Sequence, residues 1–342
     1  MCKGKSYAAA CLLKAIPAEL SSPVHKIHLE HHHTTMSTPS ILSPLSFPAS
    51  IFAKLSPGPY LLAHLQPAER ASPTRPSGRS PLEYRTPTIH TSSLTHSNGS
   101  AVVRLGATSV VCGVRAEVLR AQDIPHPYRP YTSLSNPSAP STEIEDLSLL
   151  IPNLELSTGS SPQNLPGNPP STLAQSLTHR LHSLLHSTSL LSPSDLRIRT
   201  TVTDPDTGVE EEVTKAYWAL YIDTLLISHD CAVFDAAWLA ILAALQDTVL
   251  PKATWDADTE RVVCDPRKSE GRRLRLQGTP VACSFGVFTT ESKIRGEEGK
   301  EWLLADTDAF EEGVCGETVT VVFGEEGELR RVEKSGGGKI GR

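Results

Sequence analysis

Proline placement constrains this sequence more than any other feature. Of 27 prolines, all but Pro251, Pro266 and Pro280 stand at or before position 205. Proline lacks the backbone N–H that a sheet ladder or a helix interior requires, so it is confined to loops, first helical turns and sheet edges. Uninterrupted central strands and buried helices are therefore expected after position 205. The first part has to be built from short elements joined by loops.

The length of 342 residues allows two domains or one large one. A net charge of −6 excludes a globally basic nucleic-acid binder, so any contact with RNA or DNA has to be local or shared with partners. The apolar fraction, 39%, permits a core but is low for a chain folded throughout. Seven cysteines form no C-x-x-C pair and no metal-ligand spacing, the pattern of reduced, mostly buried thiols in cytosol or nucleus. No apolar run reaches the roughly 18 residues of a membrane span. The patch from Ala8 to Leu13 is too short for a secretory signal.

Residues 1–43 mix Ser, Pro, Thr and His without periodicity and are expected to be a disordered arm. His31, His32 and His33 have no acidic or cysteine ligands nearby, so a solvated tract outweighs a metal site. Over 44–65 the apolar spacing predicts two short helices, broken at Pro57 and Pro59, followed by a loop over 66–81. Residues 86–119 are rich in β-branched side chains, with Asn98-Gly99 and Gly106-Ala107 as turn points. They predict an antiparallel meander of at least three strands. The stretch 120–146, rich in Pro, Ser and Tyr, reads as a mobile insertion, and Pro152 inside 147–156 places that strand at an edge or bend.

Leu173, Leu177, Leu181, Leu184 and Leu185 form a helical stripe behind a candidate N-cap, Ser171. His179, His182 and His186 lie on that helix without the Glu and third ligand of a zinc hydrolase, which favours a polar face. Lys215 to Ile227 reads as a central strand buried on both faces. Residues 232–247 read as an all-round apolar helix stopped by Pro251. Strands are expected near 253–256, 260–264, 280–289, 301–305 and 317–323, with a turn over Gly324–Gly327. Together these give one α+β domain over 44–341, a sheet with helices packed on one side of it.

Three segments carry a resemblance. They are RPSGRSPLEYR (75–85) with NGSAVVRLGATSVVCGVRAE (98–117), then ALYIDTLLISHDCAVFDAAWLAILAALQDTVLP (219–251), then PVACSFGVF (280–288) with VTVVFGEEGELRRVEKSGGGKI (319–340). In this order the sequence resembles the RNase PH-like subunits of the eukaryotic RNA exosome core ring, and most of all their non-phosphorolytic branch. The resemblance covers about 44–341 without the 120–146 insertion, although this sequence ends where the family continues into a further helix. It implies an RNase PH-like fold of the ribosomal protein S5 domain 2-like type, with a mixed sheet. It also implies a structural role in 3′–5′ RNA processing and degradation. The partners implied are other ring subunits of the RNase PH type, RNA-binding cap subunits and RNA threaded through the ring. The implied location is nucleus, nucleolus and cytoplasm, with no membrane and no cofactor.

Active relatives need an anion cradle and acidic groups, because phosphate attacks the terminal phosphodiester. Their DGGTR-like run lets backbone N–H groups approach phosphate. Here the run reads Asp230-Cys231-Ala232-Val233-Phe234-Asp235, so side chains replace the glycines and no arginine is offered. The two later acids correspond to Glu312 and Thr318, so the second is missing. Catalysis is therefore expected to be absent.

Arg75, Arg79, Arg85 and Arg104 are the candidate RNA contacts, against solvated or salt-bridging roles. Asp223 and Asp230 as buried catalytic carboxylates weigh against an ion-paired Asp223 and a turn-shaping Asp230 and Asp235. Gly336 to Gly338 beside Lys339 lack phosphate-loop spacing and read as a tail turn. Two other functions stay open. An active phosphate-dependent exoribonuclease predicts release of nucleoside diphosphates. A stand-alone RNA-binding adaptor predicts salt-dependent binding by the monomer.

Overall fold

The computed structural model describes residues 48–66, 72–125, 142–162, 164–203, 210–290 and 299–336. The arm expected over 1–43, with its histidine tract, lies outside the described residues. Contacts along the chain separate Met1–Leu55 from Ser56–Arg342. Helix α1 (Ala49–Leu55) belongs to the first unit, and every element below belongs to the second.

Helix α2 (Pro57–Leu65) opens with proline in its first turn, where the missing N–H is not needed. It buries Leu61 and Leu65 against Phe288 and Leu304. The expected meander follows as β1 (Thr88–Thr91), β2 (Gly99–Leu105) and β3 (Thr108–Arg120), all antiparallel. Gly106-Ala107 closes the β2–β3 hairpin, with Gly106 at φ +61°. Asn98-Gly99 does not turn the chain between paired strands. Gly99 begins β2, and a Cβ there would stand 2.5 Å from the Ala244 carbonyl oxygen and 2.6 Å from Thr248 Cα. Glycine is required by close packing, not by turn geometry.

The region expected to be an insertion begins with a 3₁₀ turn over Ala121–Asp123 and ends in helix α3 (Thr142–Asp146). The stretch between, 126–141, lies outside the described residues. Within α3, Glu143 is buried and pairs with Arg197. Strand β4 (Leu150–Leu156) holds Pro152 at the sheet edge, where a missing donor costs no ladder bond. Helix α4 (Thr172–Ser187) starts where expected, with Ser171 Oγ accepting from Ala174 N–H at 3.2 Å. Its leucine stripe is buried except Leu173, which is 44% exposed.

A short helix α5 (Pro193–Leu196) leads into β5 (Arg197–Thr203), then the 19-residue β6 (Glu210–Ser228). The first sheet runs β1-β2-β3-β6-β4, and β5 pairs with the first part of β6. Only β4 is parallel to its neighbour, so the sheet is mixed. The expectation that β6 is buried on both faces holds only for Ala216–Leu220. Beyond that, burial alternates and leaves Asp223, Leu225 and Ile227 exposed, because no element covers that face among the described residues.

Helix α6 (Val233–Asp247) buries all but three of its 15 residues. It packs against β2 and β3 on one side and, on the other, against β11 (Val281–Thr289), where Trp238 Nε1 donates to the Pro280 carbonyl at 2.8 Å. Between α6 and β11 run β7 (Val249–Leu250), the hairpin β8 (Ala253–Asp256) and β9 (Arg261–Cys264), and β10 (Arg272–Arg273), which pairs with β7. The chain closes with β12 (Glu301–Ala305), α7 (Ala309–Glu312), β13 (Glu317–Phe323) and β14 (Leu329–Gly336). A second sheet forms in the order β12-β11-β13-β14. The fold is thus α+β with helices packed on a mixed sheet. In place of helices on one side only, α6 also meets a second sheet.

Candidate functional site

The site lies where the chain leaves β6 and enters α6. Asp230 N–H donates to Thr108 Oγ1 at 2.9 Å, and that hydroxyl donates to the Cys231 carbonyl at 2.7 Å, bracing the turn. Cys231 and Ala232 both adopt left-handed backbone, φ 57° and 50°. Such geometry costs a non-glycine residue about 1–2 kcal/mol. These are the positions where the resemblance places glycines. The backbone there is of the kind glycine adopts freely, yet both positions carry a side chain. The Cys231 thiol contacts the Glu312 carboxylate, and burial, together with that carboxylate, pushes the thiol pKa up. The thiol therefore stays protonated and donates.

Four arginines were singled out from the sequence, and the structure brings three of them together. Arg75 is wholly buried. Its Nε donates to Glu311 Oε1 at 2.7 Å, its Nη2 bonds Glu311 Oε2, and its remaining donors meet the carbonyls of Ala305 at 2.6 Å and Asp306 at 3.0 Å. Arg79 donates to Asp306 Oδ2 at 3.1 Å, and its pKa is lowered by burial and by the charge of Arg75. Arg85 reaches Asp306 Oδ1 at 2.7 Å and Asp230 Oδ2 at 3.2 Å. Burial opposes its charge, yet the bonds to Asp306 leave its pKa raised.

Asp306 and Glu311 are themselves fully buried, and Glu311 also completes a capping box with Asp308 at the start of α7. Three cations face three carboxylates, Asp230, Asp306 and Glu311, and the cluster ties 75–85, the 230 turn and 305–312 together. Pairing of this kind commits most of these guanidinium donors to carboxylate and carbonyl oxygens. Arg104 stands apart, exposed on β2, with Nε donating to the Gly106 carbonyl at 3.1 Å.

Glu312 lies beside Cys231, whereas Thr318 is paired with Gly286 in the second sheet. Asp223 is exposed and, among the described residues, receives only a long 3.5 Å contact from Asn153 Nδ2. His182 and His186 lie 4.4 Å apart by ring centroids, with the His186 pKa lowered by burial and by His182. Among the described residues, no three His, Cys, Asp or Glu side chains are grouped to hold a metal. Gly336 ends β14, and 337–342 lie outside the described residues.

One polar network escaped sequence reasoning. Asp235, which reads in the sequence as turn-shaping, turns its carboxyl to β11, where Ser284 N–H and Oγ both stand at 2.7 Å. Burial raises its pKa to about 7. The chain of contacts continues from Ser284 Oγ to Thr320 Oγ1 at 2.9 Å, then to Arg180 Nη2 at 3.0 Å and from Arg180 Nε to Glu333 at 2.6 Å. An acid in the first turn of an otherwise apolar helix was the only signal.

A single long strand is shared by a meander, a parallel edge strand and a buried helix. Residues 83–251 match the 3′ exoribonuclease family, domain 1, or RNase PH. The fold matches a chain of the Archaeoglobus fulgidus exosome with RNA bound to the active site (TM-score 0.57, 23% identity, covering 85% of this chain and 91% of that one). It also matches an archaeal exosome core (TM-score 0.53, 20% identity, covering 86% and 90%). The chain belongs to the RNase PH family. Within it, the sequence is 32% identical over 305 residues to exosome complex component rrp43 of Schizosaccharomyces pombe, covering 89% of this chain and 94% of that protein. Exosome complex component Rrp42 of Thermoplasma acidophilum is 25% identical over 282 residues, covering 82% and 84%.

Proposed function

We propose that this chain is a non-catalytic structural subunit of an exosome core ring. In this reading it sits beside other RNase PH-type subunits, beneath RNA-binding cap subunits, and helps thread RNA 3′ ends to a separate nuclease. The processes served are rRNA maturation and mRNA turnover, in nucleus, nucleolus and cytoplasm. One observation carries the non-catalytic part: Arg85, the arginine that reaches the Asp230 turn, is held by Asp306 and Asp230 and so is already paired. The relatives named as exosome components support the assembly. Of the four arginines first considered for RNA, Arg104 alone is exposed and outside the carboxylate cluster, and it is the one retained as an RNA contact.

The test is affinity purification of the full chain with mass spectrometry of what accompanies it, followed by incubation of the purified chain with oligo(A) and phosphate. Ring and cap subunits are expected in the purification, and no nucleoside diphosphate is expected from the assay. Absence of the ring subunits removes the scaffold reading. Phosphate-dependent release that disappears in Asp230→Ala replaces it with an active exoribonuclease.

A further inference from the structure

Because the arginines of the site are neutralised, positive charge free for a ligand has to lie elsewhere in a chain of net charge −6. Besides the isolated Arg104, the segment 267–275, Arg-Lys-Ser-Glu-Gly-Arg-Arg-Leu-Arg, concentrates such charge. Strand β10 pairs Arg272 with Leu250 and Arg273 with Val249, and successive side chains of a strand point to opposite faces. On the Arg272 side each cation has its acid: Arg272 with Asp195, Arg199 with Glu212, Lys252 with Glu270. On the Arg273 side lies a cavity of about 490 Å³ rimmed by Arg267, Lys268 and Arg273.

The acids of that cavity are already in use. Asp247 accepts from Ser92 N–H and Oγ and from Ser100 N–H, and Asp265 pairs with Arg267. Among the described residues, Lys268 and Arg273 are in no ion pair, and both are exposed. The opposite wall is the hydroxyl-bearing loop with Thr95 and Ser97, and no aromatic side chain lines the space. Cations and hydroxyls without an aromatic platform suit phosphate oxygens and not base stacking. A protein partner would be anchored by buried aromatic or aliphatic side chains, whereas the exposed, unpaired Lys268 and Arg273 at this rim suit an anion.

We infer that the cavity between β10 and the 92–100 loop binds phosphates of a single-stranded RNA backbone, without regard to base sequence. RNA as the source of those phosphates rests on the exosome reading above. The full chain is purified with its accompanying subunits, irradiated with a photoactivatable thiouridine oligomer, and its cross-linked peptides are mapped. Cross-links are expected in 92–100 and 267–273. The double variant Lys268→Gln/Arg273→Gln is expected to lose them while still co-purifying with the same subunits. Its salt dependence of binding should be shallower by about 1.4, two single-strand phosphate contacts at about 0.7 each. Arg261→Gln, an exposed cation outside the cavity, should leave the map unchanged.

Unchanged cross-links in the double variant overturn the inference, as does a Lys268 cross-link to an acidic protein segment in place of RNA. Displacement of the oligomer from this cavity by inorganic phosphate alone overturns it in favour of a free-anion site. If no ring subunits accompany the chain but RNA still cross-links here, the scaffold reading fails and this inference stands. If the ring is present and these peptides carry no RNA, this inference alone fails.

Discussion

Arg75 and Glu311, 236 positions apart, form an ion pair with no side-chain surface exposed on either partner. A buried pair adds little over an apolar replacement, but removing one partner strands an uncompensated charge at a cost of about 3–5 kcal/mol. Arg75→Met and Glu311→Leu are each expected to fall in that range by urea denaturation. The double variant Arg75→Met/Glu311→Leu should cost clearly less than their sum, retaining about 1 kcal/mol for the lost α7 cap. Additive losses would show that the two residues act independently.

Gly99 supplies a second test. A Cβ at that position collides with backbone atoms of the α6 terminus, which have no freedom to swing aside. Gly99→Ala should therefore destabilise by about 1–3 kcal/mol, the usual cost of overpacking. Gly58, in the first turn of α2 with nothing within 4 Å of its ideal Cβ, meets no such collision. Because Pro59 follows and disfavours helical backbone in a residue that carries a Cβ, Gly58→Ala is expected to change stability by less than about 0.5 kcal/mol. Thermal melts of both variants decide whether close approach sets the requirement at Gly99.

Asp235 links stability to pH. Burial raises its pKa from 3.8 to about 7, so between those values the folded chain holds a proton that the unfolded chain has released. Its contribution is fully present below the unfolded value and is lost as pH rises through about 7. The slope attributable to one such group is at most about 1.4 kcal/mol per pH unit. Asp235→Asn is expected to flatten the stability profile between these limits and to lose nothing at neutral pH. A profile identical to that of the unchanged protein would rule out a buried titration at this residue.

Legibility in the sequence followed the range of the interaction. Helix α4 was readable because its leucine stripe and Ser171 cap are local, and α6 because apolar residues surround it. Strand β14 went unread because Leu329 and Val332 face outward, so its residues show no buried alternation. The exposed half of β6 was misread for a related reason: Leu225 and Ile227 are apolar yet uncovered. At the site, the Asp230–Asp235 run and Glu312 were found from the resemblance. The partners of Arg75, Arg79 and Arg85 were not, since pairing with residues more than 140 positions away leaves no local pattern. The basic segment 267–275 belongs to no motif read from the sequence, and which of its cations remain unpaired depends on the strand alternation of β10.

Ala232 separates two obstacles to phosphate at this turn, the side chains that it and Cys231 carry and the pairing of Arg85. Its φ of 50° is strained for alanine, so Ala232→Gly relieves about 1–2 kcal/mol in the folded state. Greater freedom of the unfolded chain offsets about 0.4–1 kcal/mol of that gain. Ala232→Gly should thus be neutral to mildly stabilising, whereas Ala232→Val, β-branched in left-handed backbone, should destabilise. Converting both Cys231 and Ala232 to glycine reopens the backbone but leaves Arg85 bonded to Asp306 and Asp230. The double glycine variant is therefore expected to release no nucleoside diphosphate from oligo(A) with phosphate. Release by that variant would show that side chains over the turn, and not neutralised arginines, are what block the chemistry.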